Sequence, residues 1–113
     1  MLRACVIAGL LAAAAGCHRT ASKAPPCGAV GATLLIIAHA EIDRSNPDEG
    51  TRRALLEQLP AMRDSLVRAC MDDKWSDALR TCQVNAATHA EFETCQLQLT
   101  DDQRRALAQS GTW

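Results

Sequence analysis

The sequence predicts an all-α fold, a small disulfide-stapled helical bundle of about five short helices, and three observations carry that expectation. The helix formers Ala, Leu and Arg are the commonest residues in a chain with no Tyr and a single Phe, whereas strands need runs of β-branched and aromatic residues. Helix-start signals recur through its second half, at Ser76, Thr88 and Thr100. Cys70, Cys82 and Cys95 fall among them at near-even intervals, a spacing suited to tying the ends of short helices together.

With 113 residues and no composition break after the first stretch, the chain is expected to hold one domain. A body of that size buries too little apolar surface to be stable by a comfortable margin, so covalent ties matter. The net charge of −1, over 22% charged residues, is neither a basic footprint nor an acidic tail. Nucleic acid is thereby excluded as an expected partner.

The N-terminus reads as an export signal over residues 1–16. Arg3 supplies a positive start, Val6 to Ala15 an apolar run, and Gly16 a small residue ahead of Cys17. The run is far shorter than the ~20 residues that cross a bilayer. Removal is therefore expected rather than retention as a span.

Ala14-Ala15-Gly16-Cys17 is similar to the lipobox of bacterial lipoproteins, with Ala14 standing where that family favours Leu. The resemblance implies that Cys17 is acylated, palmitate included, and becomes the new N-terminus, and that Cys5 leaves with the signal. It further implies a protein anchored to a bacterial envelope membrane and facing the periplasm. An ordinary secretory signal, cleaved in the Ala-rich stretch, would instead leave Cys17 as a thiol. Each buried CH2 of an acyl chain contributes about 0.8 kcal/mol, so two or more chains hold a body firmly at a membrane surface. Residues 17–26 are then a lipidated tether, polar and closing on Pro25-Pro26, and residues 27–113 are the helical domain.

With Cys5 discarded and Cys17 lipidated, Cys27, Cys70, Cys82 and Cys95 remain, an even set that allows two disulfides. Hinges near Asn46 and Thr88 rank the pairings. Cys27 and Cys70 flank the first hinge at comparable distances, and Cys82 and Cys95 flank the second. Cys27–Cys70 and Cys82–Cys95 is therefore the expected connectivity. In the chain-entropy description, loops of about 44 and about 14 residues contribute on the order of 4 and 3 kcal/mol.

Along the body, Gly28 to Arg44 places Val30, Leu34, Ile37, Ala38, Glu41 and Ile42 near one helical face, with Leu35 and Ile36 widening it. That helix should be the most buried of the bundle. Asn46 is the expected cap of the next helix, with Pro47 in its first position and Asp48 and Glu49 in its first turn. Leu55, Leu59, Met62, Leu66, Val67 and Cys70 form a stripe that keeps phase across Pro60, so a kink is expected there rather than a break. Ser76 should cap a third helix to Ala86 with Leu79, Cys82 and Val84 inward, and Trp75 should fold back onto it. Thr88 with Glu91, and Thr100 with Gln103, read as capping boxes for two more helices, the last stopping at Gly111.

Cys70, Trp75-Ser76, Cys82, Cys95, Leu99-Thr100 and Gln103 also resemble the C-terminal signature of small lipoproteins and exported proteins from myxobacteria-like bacteria. The likeness spans about a third of the chain and implies architecture alone.

Motifs for chemistry are sparse. His89-Ala90-Glu91 and His39-Ala40-Glu41 match the H-x-E half of the zinc deaminase signature, but the P-C-x-x-C half is missing and Pro26-Cys27 stands alone. Cys70, Cys82, Cys95 and His89 would form a zinc set only as reduced thiols, and they lack close ligand pairs. Gly28, Gly31 and Gly50 fit no phosphate-loop or dinucleotide spacing. Asp72-Asp73 and Asp101-Asp102 are explained by helix ends and their dipoles. No enzyme, cofactor or resident metal is expected. The expected role is structural or protein-binding at the envelope, with Trp113 or the outer side of Leu35-Ile36 as contacts and an envelope protein as partner. The competing expectation is a periplasmic binder of a metal or small ligand through His39 or His89.

Overall fold

The computed structural model describes residues 23–110 of the 113-residue chain. Among the described residues it is all-α, without strands. The elements are α1 (Cys27–Ser45), α2 (Glu49–Asp72), α3 (Asp77–Asn85), α4 (His89–Cys95), a 3-10 turn over Gln96–Gln98, and α5 (Asp101–Gln109). The signal, Cys17, most of the tether, the Gly111 stop and Trp113 lie outside the described residues.

Pro26 caps α1 in an extended conformation, so the missing proline N–H falls outside the helix ladder. Val30, Leu34, Ile37 and Ile42 are buried along α1, which packs on α2, α3 and α4. The apolar face is narrower than the sequence suggests: Leu35 is half-buried and Ile36 is 71% exposed. A helix turns about 100° per residue, which carries Ile36 away from the face that Ile37 buries.

Between α1 and α2 the expected cap shifts by two residues. Asn46 adopts the left-handed conformation at φ 45° and ψ 56°, and its N–H donates to the Asp43 carbonyl, so it closes α1. Asn tolerates that region better than most residues, which makes it a C-terminal stop as readily as an N-cap. Asp48 caps α2 instead, accepting from the Thr51 N–H at 3.0 Å and the Thr51 hydroxyl at 2.6 Å. Arg52 reaches back to Asp43 at 2.6 Å and ties the two helices across the turn.

Helix α2 continues through Pro60 as one element of 24 residues. It ends in a Schellman motif: Lys74 is left-handed at φ 49°, its N–H donates to the Met71 carbonyl, and the Trp75 N–H donates to the Cys70 carbonyl. Trp75 and Cys70 are both buried, supplying the apolar contact that accompanies this motif. Ser76 then caps α3 through the Leu79 N–H at 3.1 Å. One tryptophan therefore closes α2 and opens α3.

Thr88 caps α4 through the Glu91 N–H, but the Glu91 carboxylate accepts from the Ala87 N–H rather than from Thr88 itself, so the expected box is displaced by one residue. The box of Thr100 and Gln103 is complete. Gln103 does more than cap, because its Nε2 donates to the Asp73 carbonyl at 3.0 Å and fastens α5 to the end of α2. The acidic pairs divide. Asp101 and Asp102 sit in the first turn of α5, where the dipole favours them, whereas Asp72-Asp73 stand at the carbonyl end of α2, where it does not.

Phe92, Leu66, Leu79, Val30 and Cys70 are enclosed in one core with Leu34, Ile37, Trp75, Cys95, Leu99 and Leu107. Cys27–Cys70 joins the start of α1 to the end of α2, and Cys82–Cys95 joins α3 to α4, each with a Cα–Cα distance of 5.8 Å. Both pairings are those expected. The Arg80 Nη1 donates to the Pro25 carbonyl at 2.8 Å, so α3 also grips the backbone that leads into α1.

Candidate functional site

The residues with the best claim to function converge on a groove of about 570 Å³ between α1, α2 and α4. Its floor is apolar because the inward stripes of two helices line it, Leu34, Ile37 and Ile42 from α1 and Leu55, Leu59 and Met62 from α2. Its rim is polar: Glu41 from α1, Gln58 from α2, and His89, Glu93 and Gln96 from α4 and the turn that follows.

The rim groups are partly engaged. His89 Nε2 lies 3.0 Å from the Glu93 carboxylate, one helical turn along α4, and both side chains remain open to solvent. Glu41 accepts from Arg44 at 2.9 Å. Gln96 differs, since its amide nitrogen is buried and finds no acceptor. A buried donor left unpaired costs roughly 1–3 kcal/mol.

Two other hollows are less enclosed by distinct elements. One, of about 500 Å³, runs along α2 beside Gly28, over Arg63, Val67 and Met71. The other, of about 550 Å³, flanks the Cys82–Cys95 bridge between α3 and α4. Among the described residues neither is lined by a histidine.

Of the residues singled out in the sequence, His89 lines the groove, while His39 is exposed on α1 and does not. Glu41 of one H-x-E match lines it too, whereas Glu91 of the other serves as a cap partner. The zinc set of Cys70, Cys82, Cys95 and His89 is overturned, because all three cysteines are spent in disulfides. Among the described residues no group of three or more His, Cys, Asp or Glu could hold a metal ion. Among those residues, too, no helix is long and apolar enough to cross a membrane. Gln58, Glu93 and Gln96 went unread in the sequence. The signal for two of them was available: His89, Glu93 and Gln96 are spaced four and three apart and share one face of α4 and its extension.

No protein-family model, curated protein or solved structure matches this chain.

Proposed function

We propose that this protein is a lipid-anchored component of a bacterial envelope that works by binding, without catalysis, and that the groove between α1, α2 and α4 is where it binds. The groove carries the reading: an apolar floor flanked by a few convergent polar groups is the usual make-up of a ligand site, and about 570 Å³ falls in the usual size range. The role of His89 in this reading is to shape the rim beside Glu93, with no metal required.

Anchoring rests on the lipobox-like Ala14-Ala15-Gly16-Cys17, and the two disulfides are compatible with the oxidising compartment that export would reach. A protein contact through the outer side of Leu35-Ile36 retains only Ile36, and single exposed apolar residues are ordinary on any surface.

Two measurements test the reading. Intact mass of the membrane fraction should show a diacylglyceryl addition at Cys17, and an unmodified soluble product would remove the anchor. A photo-crosslinking residue placed at Gln58 should give an adduct of discrete mass in intact cells, while the same residue at exposed Ile36 should not. Equal labelling at both positions, or none at Gln58, would end the case for the groove.

A further inference from the structure

We infer that the groove selects a small organic cation with an apolar body and a hydrogen-bond acceptor beside it; the inference rests on the proposed binding role of that groove. Charge complementarity is the first ground. Among the described residues the charged groups lining the groove are Glu41 and Glu93, and neither Lys nor Arg lines it. Arg44 answers Glu41 from outside it. Among the described residues the Glu93 side chain is paired with His89 alone, a charged partner only when protonated. A cation seated over Leu59 and Met62 would find carboxylate on two walls, while an anion would meet the same carboxylates as like charges.

The acceptor follows from Gln96, a groove-lining residue whose Nε2 is buried without a partner among the described residues, so rotation of that amide toward the groove would let it donate to a carbonyl or ether oxygen of the occupant. The apolar body follows from the floor, where exposed Leu55 and partly buried Met62 overlie the buried Leu34, Ile37 and Leu59 and offer apolar surface that an incoming hydrocarbon would remove from water. Among the described residues the lining holds no Trp, Tyr or Phe, so recognition of the cation is by carboxylate rather than by π-faces.

Three adamantane carboxamides that share the cage and the carbonyl, and differ only in an ethyl-linked trimethylammonium, hydroxyl or sulfonate head, test this on the full chain by calorimetric titration. The trimethylammonium compound should bind at least tenfold tighter than the hydroxyl compound, and the sulfonate weakest. Replacing Glu41→Gln and Glu93→Gln together should abolish the ranking while helical circular dichroism is unchanged. Gln96→Leu should weaken all three by a similar factor. Equal affinities would overturn the charge inference and leave the groove as a binding site. Binding in the order sulfonate over trimethylammonium would overturn it outright, and no binding by any of the three would count against both the inference and the groove.

Discussion

A Cβ atom on Gly31 would stand 2.6 Å from the Val67 Cγ2 and 3.0 Å from the Arg63 Cγ, so the absence of a side chain on α1 is what lets α2 come this close. The closeness aligns the two apolar stripes and brings Cys27 within bonding reach of Cys70.

Gly31→Ala should therefore destabilise the protein although Ala is the better helix former. Val67 is β-branched and stiff, so relief requires α1 and α2 to part, and overpacking of this kind costs about 1–3 kcal/mol. Gly28→Ala is the control, since a Cβ there meets nothing within 4 Å. It should gain about 0.5–1 kcal/mol from helix propensity. Urea denaturation of both variants decides the matter, and a stabilised Gly31→Ala would show that the helices can separate without loss.

The two disulfides should differ in worth by the lengths of chain they close, sequence separations of 43 and 13. Replacing Cys27 and Cys70 by Ala should cost about 4 kcal/mol, and replacing Cys82 and Cys95 about 3 kcal/mol. Non-reducing peptide mapping should first join each pair, and equilibrium unfolding of the double variants should then rank them. Equal losses would mean that the unfolded chain retains contacts that make the longer loop cheap to close.

Caps, stripes and disulfide partners were legible because each depends on residues close in sequence or on a count about a hinge. Ser76 and Thr100 act where local chemistry put them, and the phase of Leu59, Met62 and Leu66 carried α2 through Pro60. The shift from Asn46 to Asp48 was not legible, since Asn, Pro and Asp in a row offer two caps and only the geometry of the turn chooses. The groove was hidden for a different reason. The face of α4 that bears His89, Glu93 and Gln96 is readable, but its meeting with Leu55 and Ile42 depends on how three helices cross.

Asp48 should give α2 a pH-dependent foothold. The Thr51 hydroxyl, then the Thr51 N–H, bond its carboxylate and hold its pKa below the ordinary 3.8. A depressed folded value means the cap contributes fully above 3.8 and loses its contribution as pH falls through that value toward the folded one. Asp48→Ala should lower Tm at neutral pH, and the gap from the parent should close during melts taken below pH 3.8. A gap that persists unchanged into acid would show that the cap does not need its charge.

Lys74 holds the left-handed position of the Schellman motif at φ 49° without being a glycine. A side chain there costs about 1–2 kcal/mol, partly offset against the greater freedom of Gly when unfolded. Lys74→Gly should raise stability by about 1 kcal/mol, whereas Lys74→Val should lower it and loosen Trp75. Tryptophan fluorescence during unfolding reads both effects, and a destabilised Lys74→Gly would imply that the lysine side chain makes a contact worth more than the strain.

Gln83 is fully enclosed on α3, and neither its amide oxygen nor its nitrogen finds a partner. Its place four residues after Leu79 puts it on the face that meets the core, while Val84, expected inward, is only half-buried. An unpaired buried amide carries a desolvation cost of roughly 1–3 kcal/mol that a thioether of similar length does not. Gln83→Met should thus be as stable as the parent or up to about 2 kcal/mol more stable, since it keeps the volume and discards the polar atoms. Gln83→Ala should instead lose stability, because the cavity it opens in a fully enclosed site outweighs the relief. If Gln83→Met proves markedly destabilising, the amide must be bonded to an internal water, and a slowly exchanging water signal should appear beside α3.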